Sequence, residues 1–456
     1  MYRPFASGVI TVKILFVQVP TSHLGAKERV YPLGISRLAA LVPSGFDKSA
    51  LDMNLYADPW PELKEKLEKI QPDIVALSFR NIDPLAGQQT SYLSSLKTSA
   101  ILARLIVPGA VIIAGGPAFT LFAKRLMEEI PEIDFGLCGE GELSFAKILS
   151  GFPDIQSVPG IVRRNGIEII QNPNGPFISM DEIPHIDAKS FCPNDYTKGN
   201  LYVAAMGIEG KRGCDLKCGY CLYPRLGGVR MRLRSPDIIA DEMERLNKEF
   251  GINLFHFTDP VLNRPADHFE AICKEVIKRN LDASWTGFFR EDTFTEYNAD
   301  LAQKAGLVAC YFSADALTSH GLTLLGKALT KDDILRASKI TVKYNILAMC
   351  HFLVNLPFET KEHIEEAEEM MDEILDIHAG CENLGAVILN TIRLYPGARL
   401  TNKLIESGLL DPDIDLLYPV YHNPQNTSYV LHELEAKCHE AGVLSRLKID
   451  KKKVLF

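Results

Sequence analysis

The chain has 456 residues, of which 46% are hydrophobic and 23% charged, as in an ordinary globular protein of two or three domains. A net charge of −9 argues against a nucleic-acid partner, which favours a basic surface. Ten cysteines in a long chain without a signal-like start argue against a disulfide framework and for a reducing cytoplasm. No apolar run reaches the roughly 18 residues that cross a bilayer.

The first third of the chain alternates short apolar runs with helical patterns. The runs are KILFVQVP, DIVALSF, AVIIAGG and FGLCG. This alternation predicts a doubly wound, Rossmann-like parallel sheet, whose ligands bind outside the carboxyl ends of the strands. Glycines gather at those ends and would let the backbone approach a large planar ligand, although ordinary βα turns also use glycine. The first turn lacks G-x-G-x-x-G, which argues against a dinucleotide site.

Residues 1–155 are therefore the predicted first domain. The next run, IVRRNGIEII, predicts a β-hairpin with a type I′ turn at Asn165–Gly166. A stretch rich in proline and aspartate follows and predicts a linker. Residues 156–198 thus form the predicted hairpin and linker.

Cys214, Cys218 and Cys221 lie in RGCDLKCGYCLYP with the spacing C-x3-C-x2-C. Three thiolates this close can bind one metal centre from a single loop. A [4Fe–4S] cluster normally takes four cysteine ligands, so three leave one iron open for another ligand. A structural zinc site would show a second cysteine or histidine pair, and none follows.

Residues 199–396 alternate strand-like and helix-like patterns. The strands are LYVAAMG, NLFHFTD, SWTGFF, LVACYFSAD, ILAMCHFLVNL and LGAVILNTIRL. Six such units predict a partial (βα)6 barrel of the TIM type, with its active site at the carboxyl ends of the strands. Residues 397–456 have helical patterns and form the predicted small C-terminal helical region.

Polar residues follow the predicted barrel strands. Each one alone can be a helix cap or a turn residue, but a polar residue at every strand end favours a binding site. These residues are Asp259, Arg290, Ser313, Asp315, Asn355, Arg393 and Tyr395.

With its CxxxCxxC motif, this region resembles the radical S-adenosylmethionine (SAM) superfamily. The resemblance implies that the open iron binds the amino and carboxylate groups of SAM and that Tyr220 lies near the adenine. FTDPVLN, FSADALT and LVNLPFET depart from the family's usual SAM segments. The SAM contacts that the resemblance implies are Tyr220, Asp259, Arg290, Ser313, Asp315 and Asn355. Arg393 and Tyr395 are the candidates for catalysis.

The N-terminal domain resembles the cobalamin-binding domain of B12-dependent radical SAM enzymes in YPLGISRLAAL, LSFRNID, IIAGGPAF and CGEGE. The D-x-H-x-x-G motif of other cobalamin proteins is absent, and His23 is not expected to bind cobalt. The cobalamin contacts that the resemblance implies are Pro32, Gly34, Ser78, Arg80, Asn81, Gly115, Gly116, Pro117, Gly139, Glu140 and Gly141.

Together the two resemblances imply a cobalamin-dependent radical SAM methyltransferase. It would pass a methyl group from SAM, through methylcobalamin, to a carbon that a 5′-deoxyadenosyl radical has activated. The substrate would be a small molecule or short peptide, and flavodoxin or ferredoxin would supply electrons. A cobalamin-containing cyclase or rearrangement enzyme, and a radical SAM enzyme with a non-cobalamin N-terminal module, stay open as alternatives.

Overall fold

The computed structural model describes residues 11–21, 29–84, 91–198 and 205–445. His23 lies outside these residues. The chain forms two compact units, with the boundary between Gly207 and Ile208. Among the described residues, no helix is long and apolar enough to cross a membrane. The division of the chain at residues 155, 198 and 396 stays a prediction.

The first unit is built on one seven-stranded sheet. Its strands are β1 (Val12–Gln18), β2 (Phe46–Asp52), β3 (Ile74–Ser78), β4 (Val111–Gly115), β5 (Phe135–Leu137), β6 (Ile161–Asn165) and β7 (Glu168–Gln171). The strand order is β2-β1-β3-β4-β5-β6-β7. The first five strands are parallel, and β6 and β7 continue the sheet in antiparallel pairs. The order reverses between β1 and β3, where doubly wound sheets bind their ligands.

The helices of the first unit alternate with these strands, as the sequence predicts. They are α1 (Leu33–Ala40), α2 (Trp60–Ile70), α3 (Leu93–Ile106), α4 (Pro117–Glu129), α5 (Gly141–Gly151) and α6 (Asn194–Thr197). The strands β1, β3 and β4 are almost entirely buried, because helices pack against a parallel sheet on both faces.

The predicted hairpin is present, but its turn lies one residue further along the chain. Asn165 pairs with Glu168, so that Gly166 and Ile167 form the turn. Of these two residues only Gly166 has a positive φ, at 62°. A positive φ at the first central residue alone is the pattern of type II′, and the predicted type I′ turn is wrong.

The second unit contains the predicted partial barrel. Its main sheet has the order β16-β15-β14-β13-β12-β11-β8, so the first and last strands do not meet. The strands of this unit are β8 (Gly207–Ile208), β9 (Lys211–Arg212), β10 (Arg232–Leu233), β11 (Leu254–Phe257), β12 (Ser284–Phe289), β13 (Leu307–Asp315), β14 (Leu347–Val354), β15 (Leu384–Arg393) and β16 (Tyr421–His422). β11 to β15 are parallel, and β16 is antiparallel to β15.

Helices follow the strands of the barrel. They are α7 (Tyr223–Gly227), α8 (Pro236–Phe250), α9 (Ala266–Lys278), α10 (Glu296–Lys304), α11 (Ser319–Leu325), α12 (Lys331–Lys343), α13 (Lys361–His378), α14 (Arg399–Glu406) and α15 (Tyr429–Glu440). Ser235 occupies the N-cap position of α8 without a side-chain capping hydrogen bond, and Pro236 fills the first turn. The C-terminal part is largely helical, but β16 also adds a strand to the barrel sheet, which the sequence did not indicate.

Aromatic side chains pack together on three neighbouring barrel strands. The His256 ring lies 5.6 Å from that of Phe288 and 5.4 Å from that of Tyr311. His256 Nδ1 is 2.8 Å from the hydroxyl of Thr286. Side chains at the carboxyl ends of β13 and β14 lie further along the same strands and form the site described next.

Candidate active site

The cysteine loop is closed at its base by β9 and β10, which pair antiparallel. Gly213 opens the loop with a φ of 82°, and a Cβ there would lie 2.1 Å from the Arg230 carbonyl oxygen. Only glycine fits this close approach. Cys214 N–H donates to the Gly228 carbonyl at 3.1 Å, and Cys221 N–H donates to that of Cys218 at 3.3 Å. The backbone therefore holds all three cysteines on one compact loop.

The cysteine thiols of this loop influence each other's ionisation. Burial raises the pKa of Cys221 to about 11, with further contributions from Cys218 and Cys214. Burial also raises the pKa of Cys214, and Cys218 adds to the shift. Three neighbouring thiolates need a positive group among them, and the iron of a cluster supplies it. Among the described residues, no three His, Cys, Asp or Glu side chains are close enough together to hold a single metal ion. A cluster is larger than one ion, so its ligands need not meet at one point.

Asp315 lies at the end of β13 and is buried, with a φ of 59° that non-glycine residues rarely adopt. Its Oδ2 accepts a hydrogen bond from the Tyr220 hydroxyl and lies 2.7 Å from Lys327 Nζ. Its Oδ1 is 2.9 Å from His351 Nδ1. Burial alone would raise the pKa of Asp315, but Lys327 and His351 hold it below its ordinary value. The carboxylate is therefore ionised.

Lys327 connects Asp315 to the cysteine loop. Only 7% of Lys327 is exposed, and its Nζ also donates to the Ser313 carbonyl. Nζ lies 3.5 Å from the Tyr220 hydroxyl and 5.9 Å from the centre of its ring. Burial lowers its pKa, but Asp315 and then Cys218 raise it, and the net shift is upward. The ammonium group therefore stays charged beside the cysteines.

The polar network extends across the next two strands. Asn390 on β15 lies with its Nδ2 2.6 Å from His351 Nε2. His351, Asn390 and Lys327 were not among the predicted site residues. A lysine is almost never fully buried unless it is paired with an opposite charge. The partner of Lys327 is Asp315, 12 residues away, so the sequence alone did not reveal the pair. For His351 and Asn390 the available signal was a polar side chain within an otherwise apolar strand.

The other predicted SAM residues are held mainly by the protein. Asp259 is buried next to the residues that lead into the cysteine loop, where its Oδ1 accepts from Gly210 N–H at 2.7 Å and from Lys211 N–H at 3.1 Å. Burial raises its pKa to about 6. The Arg290 guanidinium donates to the carbonyls of Lys327 and Ala328. These two side chains therefore position the loops that carry the cysteines and Lys327.

Three further predicted residues lie at the ends of β14 and β15. Asn355 has a φ of 54° and donates from Nδ2 to Asn423 Oδ1 at 2.6 Å. The Arg393 guanidinium lies 4.9 Å from the centre of the Tyr395 ring and donates to the carbonyls of Leu394 and Leu416. The structure thus brings Tyr220, Asp315 and the Ser313 carbonyl together. The roles assigned to the other predicted residues stay predictions.

Glu291 is a second buried acid at this end of the barrel, directly after Arg290. It is 2% exposed, and its Oε1 has no hydrogen-bond partner among the described residues. Burial raises its pKa to about 7, although Lys327 opposes the shift. Glu291 therefore takes up a proton at a much higher pH than Asp315 does.

At the carboxyl edge of the first sheet, small residues leave the backbone accessible. Gly34 is exposed, and a Cβ there would meet nothing within 4 Å. Gly116 has a φ of 106°, and a Cβ there would lie 2.6 Å from the Phe79 carbonyl oxygen. Arg80 and Asn81 follow β3 and are exposed. This open, glycine-lined edge fits a large planar ligand such as a corrin.

The remaining predicted cobalamin residues occupy the same edge. A Cβ at Gly115 would approach the Leu137 carbonyl oxygen to 3.2 Å, and one at Gly141 would approach the Leu38 side chain to 3.2 Å. Some of these glycines therefore serve the packing of the protein itself. Also at this edge are Pro32 (buried), Ser78, Gly139 and Glu140 (half-buried), and Pro117 (exposed). Their contacts with cobalamin stay predictions.

Two family models match the chain. The Radical SAM superfamily matches residues 208–371, and the B12 binding domain matches residues 25–149. The chain is 28% identical over 409 residues to an uncharacterized methyltransferase of Pyrococcus horikoshii, covering 88% of this chain and 84% of that protein. It is 28% identical over 378 residues to the anaerobic magnesium-protoporphyrin IX monomethyl ester cyclase of Cereibacter sphaeroides, covering 79% of this chain but only 59% of that protein.

Among solved structures, the chain is similar to the radical S-adenosylmethionine methyltransferase TsrM from Kitasatospora setae, with tryptophan and a SAM analogue bound. The TM-score is 0.78 at 19% identity, over 94% of this chain and 89% of that one. The two proteins therefore share their fold. With both family models on one chain, the protein belongs to the cobalamin-dependent radical SAM enzymes, and its cofactors are a [4Fe–4S] cluster, SAM and cobalamin.

Proposed function

We propose that the protein is a methyltransferase that transfers a methyl group from SAM, by way of cobalamin, to a carbon atom of a small molecule or short peptide. The observation that carries the proposal is the match to the methyltransferase of Pyrococcus horikoshii over 84% of that protein's length. The cyclase relative is matched over 59% of its length. The cyclase relative keeps ring formation as the second candidate.

The residues of the second unit have distinct tasks in this proposal. Cys214, Cys218 and Cys221 hold the cluster. The ionised Asp315 accepts hydrogen bonds from an N–H or hydroxyl group of bound SAM, in exchange for some of its present partners. Lys327 keeps this carboxylate ionised and fixes Tyr220 beside it. The bound cofactors supply the radical and the methyl-carrying chemistry.

The site also has to exclude water, because a substrate radical reacts with whatever reaches it first. Asp315 and Lys327 are desolvated. The rings of His256, Phe288 and Tyr311 pack together on β11, β12 and β13, before the carboxyl ends of these strands. A reducing cytoplasm suits such chemistry and stays our expectation for the location of the protein. An external one-electron donor is part of the proposal.

Methyl-deuterated SAM tests the proposal on protein loaded anaerobically with cluster and cobalamin. We expect S-adenosylhomocysteine to form, and the deuterated methyl group to appear on the extracted cobalamin in mass spectrometry. A cyclase would instead release 5′-deoxyadenosine without S-adenosylhomocysteine, and that result would overturn the proposal. Cys218→Ala is the control variant. It should lose the cluster and its visible absorbance while the first unit stays intact.

A further inference from the structure

Exposed basic side chains adjoin the cysteine loop. Lys217 lies between the first two cysteines, Arg225 and Arg230 follow the third, and Arg399 begins α14; we call these four residues the basic collar. From Lys211 to Arg234 the sequence has seven lysines and arginines and one aspartate. The whole chain, in contrast, has 49 basic and 58 acidic residues. The positive charge is therefore local to this loop.

Backbone contacts fix the collar to the loop. Arg225 Nη1 donates to the Pro396 carbonyl at 2.7 Å, and Arg399 donates to the carbonyl of Lys217. Arg230 packs its own carbonyl against Gly213, the residue before Cys214. Lys217 directly precedes Cys218, and Arg225 is four residues after Cys221.

The charges of the collar are not neutralised within the described part of the chain. Other basic residues near the loop have acidic partners: Arg212 pairs with Glu209, Arg234 with Glu242, and Arg264 with Asp215. In the described residues, none of the four collar side chains forms an ion pair with a carboxylate. Their charge is directed to solvent and is available to a partner.

Three apolar side chains accompany the collar on the surface. Val229 is 69% exposed, Tyr223 47% and Leu233 40%. They lie in the same segment, from α7 to β10. Exposed apolar side chains with polar or charged neighbours are typical of protein interfaces. This combination favours a protein partner over a small anion, which needs no apolar contact.

We propose that the basic collar, with Val229, Tyr223 and Leu233, is the docking surface for an acidic protein that carries one electron to the cluster. The inference rests on the proposed function, because the cluster needs an electron for each cleavage of SAM. One electron leaves the reduced carrier and enters the oxidised cluster, and no bond is made or broken. Encounters of this kind bury less than about 1,200 Å² and are steered by charge.

The electron-transfer rate tests this surface directly. The variant Arg225→Glu/Arg230→Glu and the wild type, both loaded with cluster, are mixed anaerobically with flavodoxin hydroquinone, an acidic carrier that gives up one electron. Stopped-flow bleaching of the cluster absorbance gives the second-order rate constant at several salt concentrations. The matched control is Lys304→Glu/Lys343→Glu, which reverses the same number of charges. Both lysines are exposed, at the ends of α10 and α12 just before β13 and β14, at the opposite end of the strands.

We expect the double variant to react at least about tenfold more slowly than the wild type and to lose most of its salt dependence, since steering raises association rates 10- to 1,000-fold. Lys304→Glu/Lys343→Glu should match the wild type. Dithionite should reduce every variant to the same final electron paramagnetic resonance signal, which shows that the cluster is intact. The neutral pair Arg225→Gln/Arg230→Gln should give an intermediate rate.

Equal rates and equal salt dependence in the double variant and the wild type would overturn the inference. An unchanged rate with a raised KM for an anionic substrate would also overturn it and assign the collar to the substrate. The proposed function is judged separately, by S-adenosylhomocysteine formation with dithionite as reductant. A failure there leaves the reduction rates, and so the docking surface, measurable.

Discussion

The carboxyl edge of the first sheet presents mostly backbone, proline and glycine to a ligand. The carboxyl edge of the second sheet presents charged side chains instead. Gly34 is exposed with open space beside it, and Arg80 is an exposed charged residue at the same edge. Asp315 and Lys327 instead form a buried ion pair. A large corrin needs room and shape, while a small charged molecule such as SAM needs charges fixed in advance. The same strand-end rule thus yields two kinds of site.

Among the substitutions that test this comparison, we expect the largest effect at Asp315. Asp315→Asn leaves the buried Lys327 without its counter-charge, which costs about 3–5 kcal/mol of folding free energy. SAM affinity should fall with it. Urea unfolding and SAM titration measure the two effects. Asp315→Asn combined with Lys327→Met is the control, because it removes both charges and should recover much of the stability but not the SAM affinity. Unchanged stability in the single variant would contradict the ion pair.

The same pair gives a pH dependence with a definite sign. The pKa of Asp315 is lowered in the folded protein. Its contribution to stability is therefore complete above the unfolded pKa of roughly 4 and is lost as the pH falls below it.

Glu291 provides the opposite behaviour at the same end of the barrel. Its pKa rises from 4.5 to about 7 on folding. The folded state binds the proton of Glu291 more tightly than the unfolded state does. The protonated side chain therefore stabilises the fold below pH 4.5, and this stabilisation is lost as the pH rises through 7. Glu291→Gln should remove that slope and raise stability at pH 8 by roughly 3 kcal/mol. Thermal unfolding between pH 4.5 and 8 tests this, with the exposed Glu433→Gln as control. An unchanged slope would show that Glu291 is solvated.

The smallest expected effect separates two glycines of the first sheet. Gly116→Ala adds a Cβ 2.6 Å from the Phe79 carbonyl oxygen at a positive φ, and should cost about 1–3 kcal/mol. Gly34→Leu extends into open space, so the melting temperature should change little. It should nevertheless weaken cobalamin binding, measured by visible titration of the loaded cofactor. Full cobalamin affinity in Gly34→Leu would remove Gly34 from the site.

Local patterns predicted the parts of the molecule whose residues are close in sequence. The cysteine spacing identifies the loop, and the apolar runs identify β1, β3, β4, β5 and β11 to β15. β2 was missed because FDKSALD is a polar edge strand, paired on one side only, from Phe46 opposite Val12 to Asp52 opposite Gln18. Such a strand needs no apolar alternation, and its identity comes from its partner.

The charged network illustrates the same limit in the site. Asp315 was predicted because it ends a strand next to a recognisable motif. His351 and Lys327 reach it from 36 and 12 residues further along the chain, and the sequence between them shows no spacing that links the three. Only the register of β13 against β14 brings His351 to Asp315. A site assembled from several strands is visible to sequence patterns one strand at a time.

Asp259 has a consequence for how the enzyme matures. Its carboxylate ties Gly210 and Lys211 in place, and the Lys211 ammonium in turn donates to the carbonyls of Leu262 and Arg264. These contacts involve no cysteine, so the base of the cysteine loop is held without a contribution from the cluster. We therefore expect little chain entropy to be lost when the cluster binds. We expect metal incorporation in this chain to require little local folding.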